Sequence, residues 1–223
     1  MRVTDSNIFS LAYYRINRGK NALDTLTEMI SSGKKASNLG DDPLAVQSIV
    51  RNDERTGRLD QFSTNTTNVR NQLNVYESVL TEVYNLITTL KTDAVALANE
   101  TASYEQVEGF SEKLDLAKEQ LIALANTQHN DSYIFSGYKT DTATFDENGV
   151  YQGEEGIMQV EVMNGVKIDI NINGTDVFGG GGSGNADLFA VIDALKGSLH
   201  GDFPNDFTAN FDELDAVADQ ITR

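Results

Sequence analysis

The chain contains no cysteine and no tryptophan, has only two histidines, and carries no long apolar run. Without thiols, neither a disulfide framework nor a thiolate metal site can hold the fold, so its stability rests on packing and is largely indifferent to redox surroundings. His129 and His200 are far apart and neither sits in a ligand pattern, so exposed or capping roles are expected of both. No stretch approaches the roughly 18 apolar residues of a membrane span. Asp5, Asn7, Arg15 and Arg18 interrupt any apolar centre of the kind that a cleaved secretory signal needs. Neither a spanning segment nor a cleaved signal peptide is expected.

Catalytic signatures are missing as well. GxSxG, HExxH and CxxC do not occur. The glycine run at 179–184 lacks the spacing, the following helix and the lysine or hydroxyl of a phosphate loop, and it reads as a flexible linker. Acidic stretches at 141–147 and 202–206 lack a calcium-loop pattern and read as solvated charge. The eight tyrosines are scattered without the basic interleaving that base stacking uses. No enzyme activity, catalytic residue, cofactor or metal is expected.

The net charge of −17 is unevenly spread. Residues 1–60 hold 9 of the 17 Lys and Arg and 8 of the 34 Asp and Glu, leaving 8 against 26 for residues 61–223. An acidic surface of this kind repels nucleic-acid phosphates and anionic lipid, so no nucleic-acid or membrane partner is expected. The near-neutral N-terminal part is where close approach of another chain costs least.

What the chain does have is a heptad stripe over residues 59–97. Leu59, Phe62, Thr66, Val69, Leu73, Tyr76, Leu80, Val83, Ile87, Leu90, Ala94 and Leu97 recur at steps of three and four, with mostly polar residues between them. At about 1.5 Å per residue, such a helix runs to roughly 58 Å, which predicts a rod before any pocket. The helix is expected from Pro43 to about Asn99, loosened near Gly57 and residues 64–67, with Asp42 as N-cap and Pro43 in the first turn. After a turn near residues 100–104, Val107, Phe110, Leu114, Ala117, Leu121, Leu124 and Gln128 mark a helix returning antiparallel to it. Leu73, Tyr76, Leu80, Val83, Ile87 and Leu90 then face Leu114 and Leu121 in a bundle seam.

An earlier helix carries a second stripe. Phe9, Ile16, Leu23 and Ile30 recur every seven residues, with the mostly small Ala12, Gly19, Leu26 and Gly33 between them. Gly19 costs about 1 kcal/mol of helix propensity relative to alanine, so this helix is marginal by itself. Two readings stand: an assembly surface that orders on a partner helix, or an amphipathic helix packed on its own domain. Gly33, followed by Lys34 and Lys35, reads as its C-terminal stop.

From Tyr133 the hydrophobic period becomes alternating. Residues 146–149 form one turn and Asn164-Gly165 another. For the second hairpin, a two-residue loop would put Val162 opposite Lys167 and set the apolar faces against each other. A three-residue loop, Met163-Asn164-Gly165, pairs Val162 with Val166 and Val160 with Ile168, with Gly165 left-handed, and is the one expected. After the linker, Leu188, Val191, Ile192 and Leu195 mark a helix capped by Asn185 or Asp187, and Phe211, Leu214, Val217 or Ala218, and Ile221 mark a last one. The fold class is therefore mainly α with a β-rich insertion (α+β): an elongated antiparallel helical bundle or coiled coil carrying a small β domain. The expected divisions are 1–40 (assembly helix and loop), 41–132 plus 185–223 (helical rod) and 133–184 (β-rich insertion with its linker).

These motifs resemble the bacterial flagellin family. Ser32-Gly33-Lys34-Lys35, Asn38 and Asp41-Asp42-Pro43 after an N-terminal helix are similar to its N-terminal signature. Tyr133-Ile134-Phe135-Ser136-Gly137-Tyr138-Lys139-Thr140-Asp141-Thr142, with Phe145, resembles its mid-chain motif. Tyr151-Gln152-Gly153 and residues 171–178 extend the likeness, while Ala36 and Ala143 depart from it. The Asp-Asp-Pro version is the one associated with junction subunits rather than with flagellin itself.

The resemblance implies a structural subunit of the bacterial flagellum, an adaptor at the hook-filament junction. Such a subunit is secreted through the type III export apparatus with an uncleaved N-terminus and is extracellular once assembled. Its implied partners are further copies of itself in a ring, neighbouring hook-associated and flagellin subunits, and an export chaperone. Flagellin itself, or a secreted binding module using the β insertion, are the alternatives. In the family the last segment returns to pair with the N-terminal helix. Here the final stripe stops mid-seam at Arg223, which reads as a truncated chain whose Phe9, Ile16, Leu23 and Ile30 lack their partner. Limited proteolysis of the isolated chain is then expected to remove residues 1–33 first; their protection in the monomer would contradict this.

Overall fold

The computed structural model describes residues 2–33, 43–99, 102–180, 185–199, 207 and 210–222. Lys34, Lys35, Asn38, the Asp41-Asp42 cap, the end of the glycine run, His200 and Pro204 lie outside the described residues. Packing divides the chain into two units, Met1–Gln61 and Phe62–Arg223, with the division inside one helix.

The first unit holds helix α1 (Arg2–Ser32) and the start of α2 (Pro43–Asn99). α1 ends where Gly33 turns left-handed at φ +64°. No described residue of this unit is buried. α2 runs without a break through Gly57 and residues 64–67, where loosening was expected. Thr66 and Thr67 donate their hydroxyls to the Phe62 and Ser63 carbonyls one turn back, so these side chains do not compete for the backbone from outside the helix.

The second unit is built on the remainder of α2. α3 (Tyr104–Ala125) starts at Ser103, whose hydroxyl accepts the Gln106 N–H while the Gln106 side chain accepts the Ser103 N–H, a reciprocal cap. The helix runs back along α2, since Lys113 meets Asp93 while Tyr76 meets Ile134 further on. α3 stops at Ala125 rather than reaching Gln128, because the Asn126 amide is committed elsewhere: it donates to the Phe145 carbonyl at 2.8 Å and accepts the Phe145 N–H at 2.9 Å.

The β-rich part consists of two small antiparallel ribbons. β1 (Gln128–His129) pairs with β2 (Ser132–Tyr133) around Asn130 and Asp131, both left-handed. β3 (Gln159–Met163) pairs with β4 (Val166–Asp169). Val160 sits opposite Ile168, as the alternation requires, but the closing pair is Met163 with Val166 and not Val162 with Val166. A bulge between Glu161 and Met163 takes up Val162, so a two-residue Asn164-Gly165 turn and agreement of the apolar faces coexist. Gly165 is left-handed at φ +76°, and its N–H donates to the Glu161 carboxylate at 2.8 Å. Residues 174–178 form a short helix, α4 (Gly174–Phe178), instead of more extended chain. α5 (Leu188–Leu199) and α6 (Phe211–Ile221) complete the unit.

One core joins the helices of this unit. Tyr76, Val79, Val83, Ile87, Leu90, Ala94 and Leu97 of α2 meet Phe110, Leu114, Ala117 and Leu121 of α3, Leu188, Ile192 and Leu195 of α5, and Leu214 and Val217 of α6. Among the described residues, ion pairs fix the helices laterally: Lys91–Asp215, Lys113–Asp93, Lys118–Asp193 at 2.7 Å and Lys196–Asp115 at 2.5 Å. These pairs are largely exposed, so each contributes about 0–1 kcal/mol and sets alignment more than stability. Leu121→Ala, at a fully buried site, is expected to lower unfolding free energy by about 2–5 kcal/mol in urea denaturation. Leu116→Ala, on the exposed side of the same helix, is expected to stay within about 0.5 kcal/mol.

Candidate assembly surface

α1 is an apolar stripe without a cover. Phe9, Ile16, Leu23 and Ile30 are between 65% and 81% exposed, and Ile8, Leu11, Tyr13 and Tyr14 are exposed beside them. Exposed apolar surface of this extent on one helix is the kind that interaction sites present. In the bundle seam, Tyr76, Val83, Ile87, Leu90, Leu114 and Leu121 are buried and Leu80 is half-buried. Leu73 departs from that pattern at 44% exposed. It lies on the wall of an open, mainly apolar groove with Tyr76, Leu80, Tyr84, Ile172 and Ile221, so the described helices leave it uncovered.

The mid-chain motif is a structural joint. Ile134, Phe135 and Ser136 are buried. The Ser136 hydroxyl donates to the Tyr133 carbonyl, the Tyr138 N–H donates to the Glu154 carbonyl, and the Glu154 N–H returns to the Ser136 carbonyl. Gly137 is left-handed at φ +67°, and a Cβ there would fall 1.8 Å from the Glu154 carbonyl oxygen, so only glycine permits this crossing. Phe135 stands edge-on to Tyr76 and to Phe178, each at 5.3 Å, and Phe145 is edge-on to Phe178 at 5.5 Å. The Tyr76 hydroxyl donates to the Ile134 carbonyl, tying α2 to the motif.

Side-chain amides close the remaining gaps. Asn171 accepts the Met158 N–H and donates to the Gly156 carbonyl, Asn173 accepts the Gly156 N–H, and Gln220 of α6 accepts the Ala186 N–H and donates to the Val177 carbonyl. Beside β1 and β2 a shallow cleft is lined by Gln72, His129, Ser132, Tyr133 and Thr140, with Met158 and Ile170. No carboxylate or permanent cation lines it. Among the described residues, no group of three or more His, Asp or Glu side chains converges, and no helix is long and apolar enough to cross a membrane.

Sequence reasoning passed over Val79, Ser103, Asn126 and Gln220. The cap at Ser103 was visible as serine followed three residues later by glutamine. Val79 is one position off the heptad series, and Asn126 and Gln220 act through partners distant in sequence, which no local pattern reveals.

With this geometry in place, the class of protein follows. The sequence profile of the bacterial flagellin N-terminal helical region matches residues 5–140, more than half of the chain, and the chain belongs to that family. It is 28% identical over 211 residues to flagellar hook-associated protein 3 of Salmonella typhimurium, covering 89% of this chain and 67% of that protein. It is 29% identical over 184 residues to flagellar hook-associated protein 3 of Escherichia coli, covering 77% of this chain and 58% of that protein, so the chain spans about three-fifths to two-thirds of these relatives. The fold is that of Bacillus cereus FlgL, with a TM-score of 0.67 at 19% identity over 80% of this chain and 85% of that one. The flagellar junction protein FlgL of Legionella pneumophila aligns at 26% identity with a TM-score of 0.52, over 61% of this chain and 42% of that one.

Two hydroxyls in the joint, those of Thr144 and Tyr151, are buried without a hydrogen-bond partner. Burial, followed by the charges of Glu155 and Asp176, pushes Tyr151 up to about 12. The native chain thus holds this proton more tightly than the unfolded chain, whose tyrosines titrate near about 10. The contribution to stability is full below pH 10 or so and is lost as pH rises towards 12. In a phenolate absorbance titration, Tyr151 and the buried Tyr76, which burial also raises, are expected to lag the exposed tyrosines. Tyr151→Phe is expected to flatten the loss of unfolding free energy across that window.

Proposed function

We propose that this chain is a structural subunit of the bacterial flagellum that works as an adaptor at the hook-filament junction, and that it has no enzymatic role. The observation that carries this reading is the open apolar stripe of α1 in a flagellin-family chain whose second unit is well packed. A helix with no buried residue contributes little to its own chain and is suited to ordering against neighbours. Phe9, Ile16, Leu23 and Ile30 are the assembly residues. The seam residues from Tyr76 to Leu90, with Leu114 and Leu121, hold the rigid body that is positioned, and the Asn164-Gly165 turn shapes one exposed edge of the β-rich part.

In this reading the subunit passes the type III export apparatus unfolded, accompanied by a chaperone and with its N-terminus retained. It then closes into a ring with copies of itself outside the cell, between hook-associated and flagellin subunits. The absence of cysteine suits such a route, since no disulfide has to form or break. Adaptor function is then geometrical: one face matches the subunits below and another those above, with no cofactor.

A strain lacking the protein is expected to be non-motile and to release unpolymerised flagellin, and the full-length protein is expected to restore filaments. Ile16→Asp with Leu23→Asp, which buries no charge in the second unit, is expected to abolish that rescue while leaving the urea unfolding of the second unit unchanged. Normal filaments in the deletion strain would exclude the junction role.

A further inference from the structure

In a chain of net charge −17, one helical face is cationic. Arg51, Arg55 and Arg58 of α2 are all exposed and follow one another by steps of four and three, within about 60° around the helix. They line a shallow polar concavity with Ser48, Asn52 and one carboxylate, Glu54, which the three arginines outnumber, while Asp53 and Asp60 lie on the other side of the helix. On the second unit, Glu105, Glu108 and Glu112 of α3 are exposed and follow one another by steps of three and four, also on one face. None of these six side chains belongs to the ion pairs found among the described residues. The opposed order of the steps matters. Laid antiparallel, Arg51, Arg55 and Arg58 register with Glu112, Glu108 and Glu105 over the same rise of about 10.5 Å, whereas a parallel alignment misplaces the central pair.

We infer that the arginine face of α2 in one copy docks antiparallel on the glutamate face of α3 in a second copy. The occupant is a second copy because each chain supplies both members of a complementary set with the same helical period. Each face has an exposed leucine in line with its charges, Leu44 on α2 and Leu116 on α3, so the contact is not ionic alone. Two different faces meeting make the contact heterologous, able to repeat from copy to copy and to close a ring if the rotation allows. The inference rests on the ring reading above and names its surface.

The cysteine-free sequence permits a direct test. Full chains carrying Arg55→Cys and Glu108→Cys singly are mixed and joined by a short bis-maleimide, with Asp53→Cys plus Glu108→Cys as the control pair from the other side of α2. Cross-linked heterodimer is expected to form about tenfold faster for the first pair. The excess is expected to disappear between about 0.1 M and 1 M salt, where the screening length falls from about 10 Å to 3 Å. Arg51→Glu with Arg58→Glu in the first partner is expected to abolish the excess, and Glu105→Arg with Glu112→Arg in the second to restore it. Equal rates for the two pairs, an excess insensitive to salt, or a charge reversal without rescue would overturn the proposal. So would an arginine face that a different polyanion occupies, seen as retention on heparin that excess chain does not displace. If cross-linking fails while Ile16→Asp with Leu23→Asp still blocks filament rescue, the junction role stands and this surface is not its contact; normal filaments without the protein would instead remove the junction role.

Discussion

A connected cluster of aromatic rings holds the second unit together. Tyr76 comes from α2, Phe135 and Phe145 from the irregular β-rich part, Phe178 from α4 and Phe189 from α5, and their centroids lie 5.2–6.2 Å apart along a connected chain. Edge-to-face pairs at these distances add about 0.5–1.5 kcal/mol each to the burial of the rings. The cluster matters because the two ribbons, with two to five residues per strand, cannot be stable alone. Their order is borrowed from helices, through rings that enter the helical core. The β-rich part is thus less an inserted domain than an outgrowth of the bundle.

The division of labour between the units follows from where apolar area is buried. The second unit has a continuous core with its alignment set by lateral ion pairs, and the first has exposed apolar side chains and none buried among its described residues. For the second unit, folding and burial are one event within the chain. For the first, the apolar stripe of α1 is exposed, and on the reading proposed above its burial is left for contact with another helix. The cationic face of α2 is consistent with this, since charge steers and aligns partners before apolar surfaces close.

Much of the helical plan was legible from spacing. The α2 stripe, the return of α3 and the last two helices all came from three-four periodicity, a signal that survives because each buried face is continuous. Errors arose where a different physical term took over. Leu73 fits the heptad yet stays exposed, because burial depends on a covering helix rather than on the helix carrying the residue. The Val162 bulge escaped notice because pattern matching counts residues, whereas the ladder tolerates one extra residue if both faces still agree. Gly57 and residues 64–67 suggested a weak helix, yet α2 continues through them, because propensity is a small term that the rest of a long helix overrides.

By itself the sequence determined that this is a cysteine-free, acidic, mainly helical chain with two apolar stripes, an alternating segment between helices, and motifs of the flagellin family. Composition and period suffice for that, because they act within one turn or one strand. Only the tertiary structure decided that the stripe of α1 stays open while that of α2 closes from Tyr76 onward, and that Asn126, Asn171 and Gln220 serve as backbone partners. The same holds for the crossing that lets nothing but glycine stand at 137. Those outcomes depend on which surfaces come within a few ångströms of each other after folding, and distance in space is not written in any local spacing.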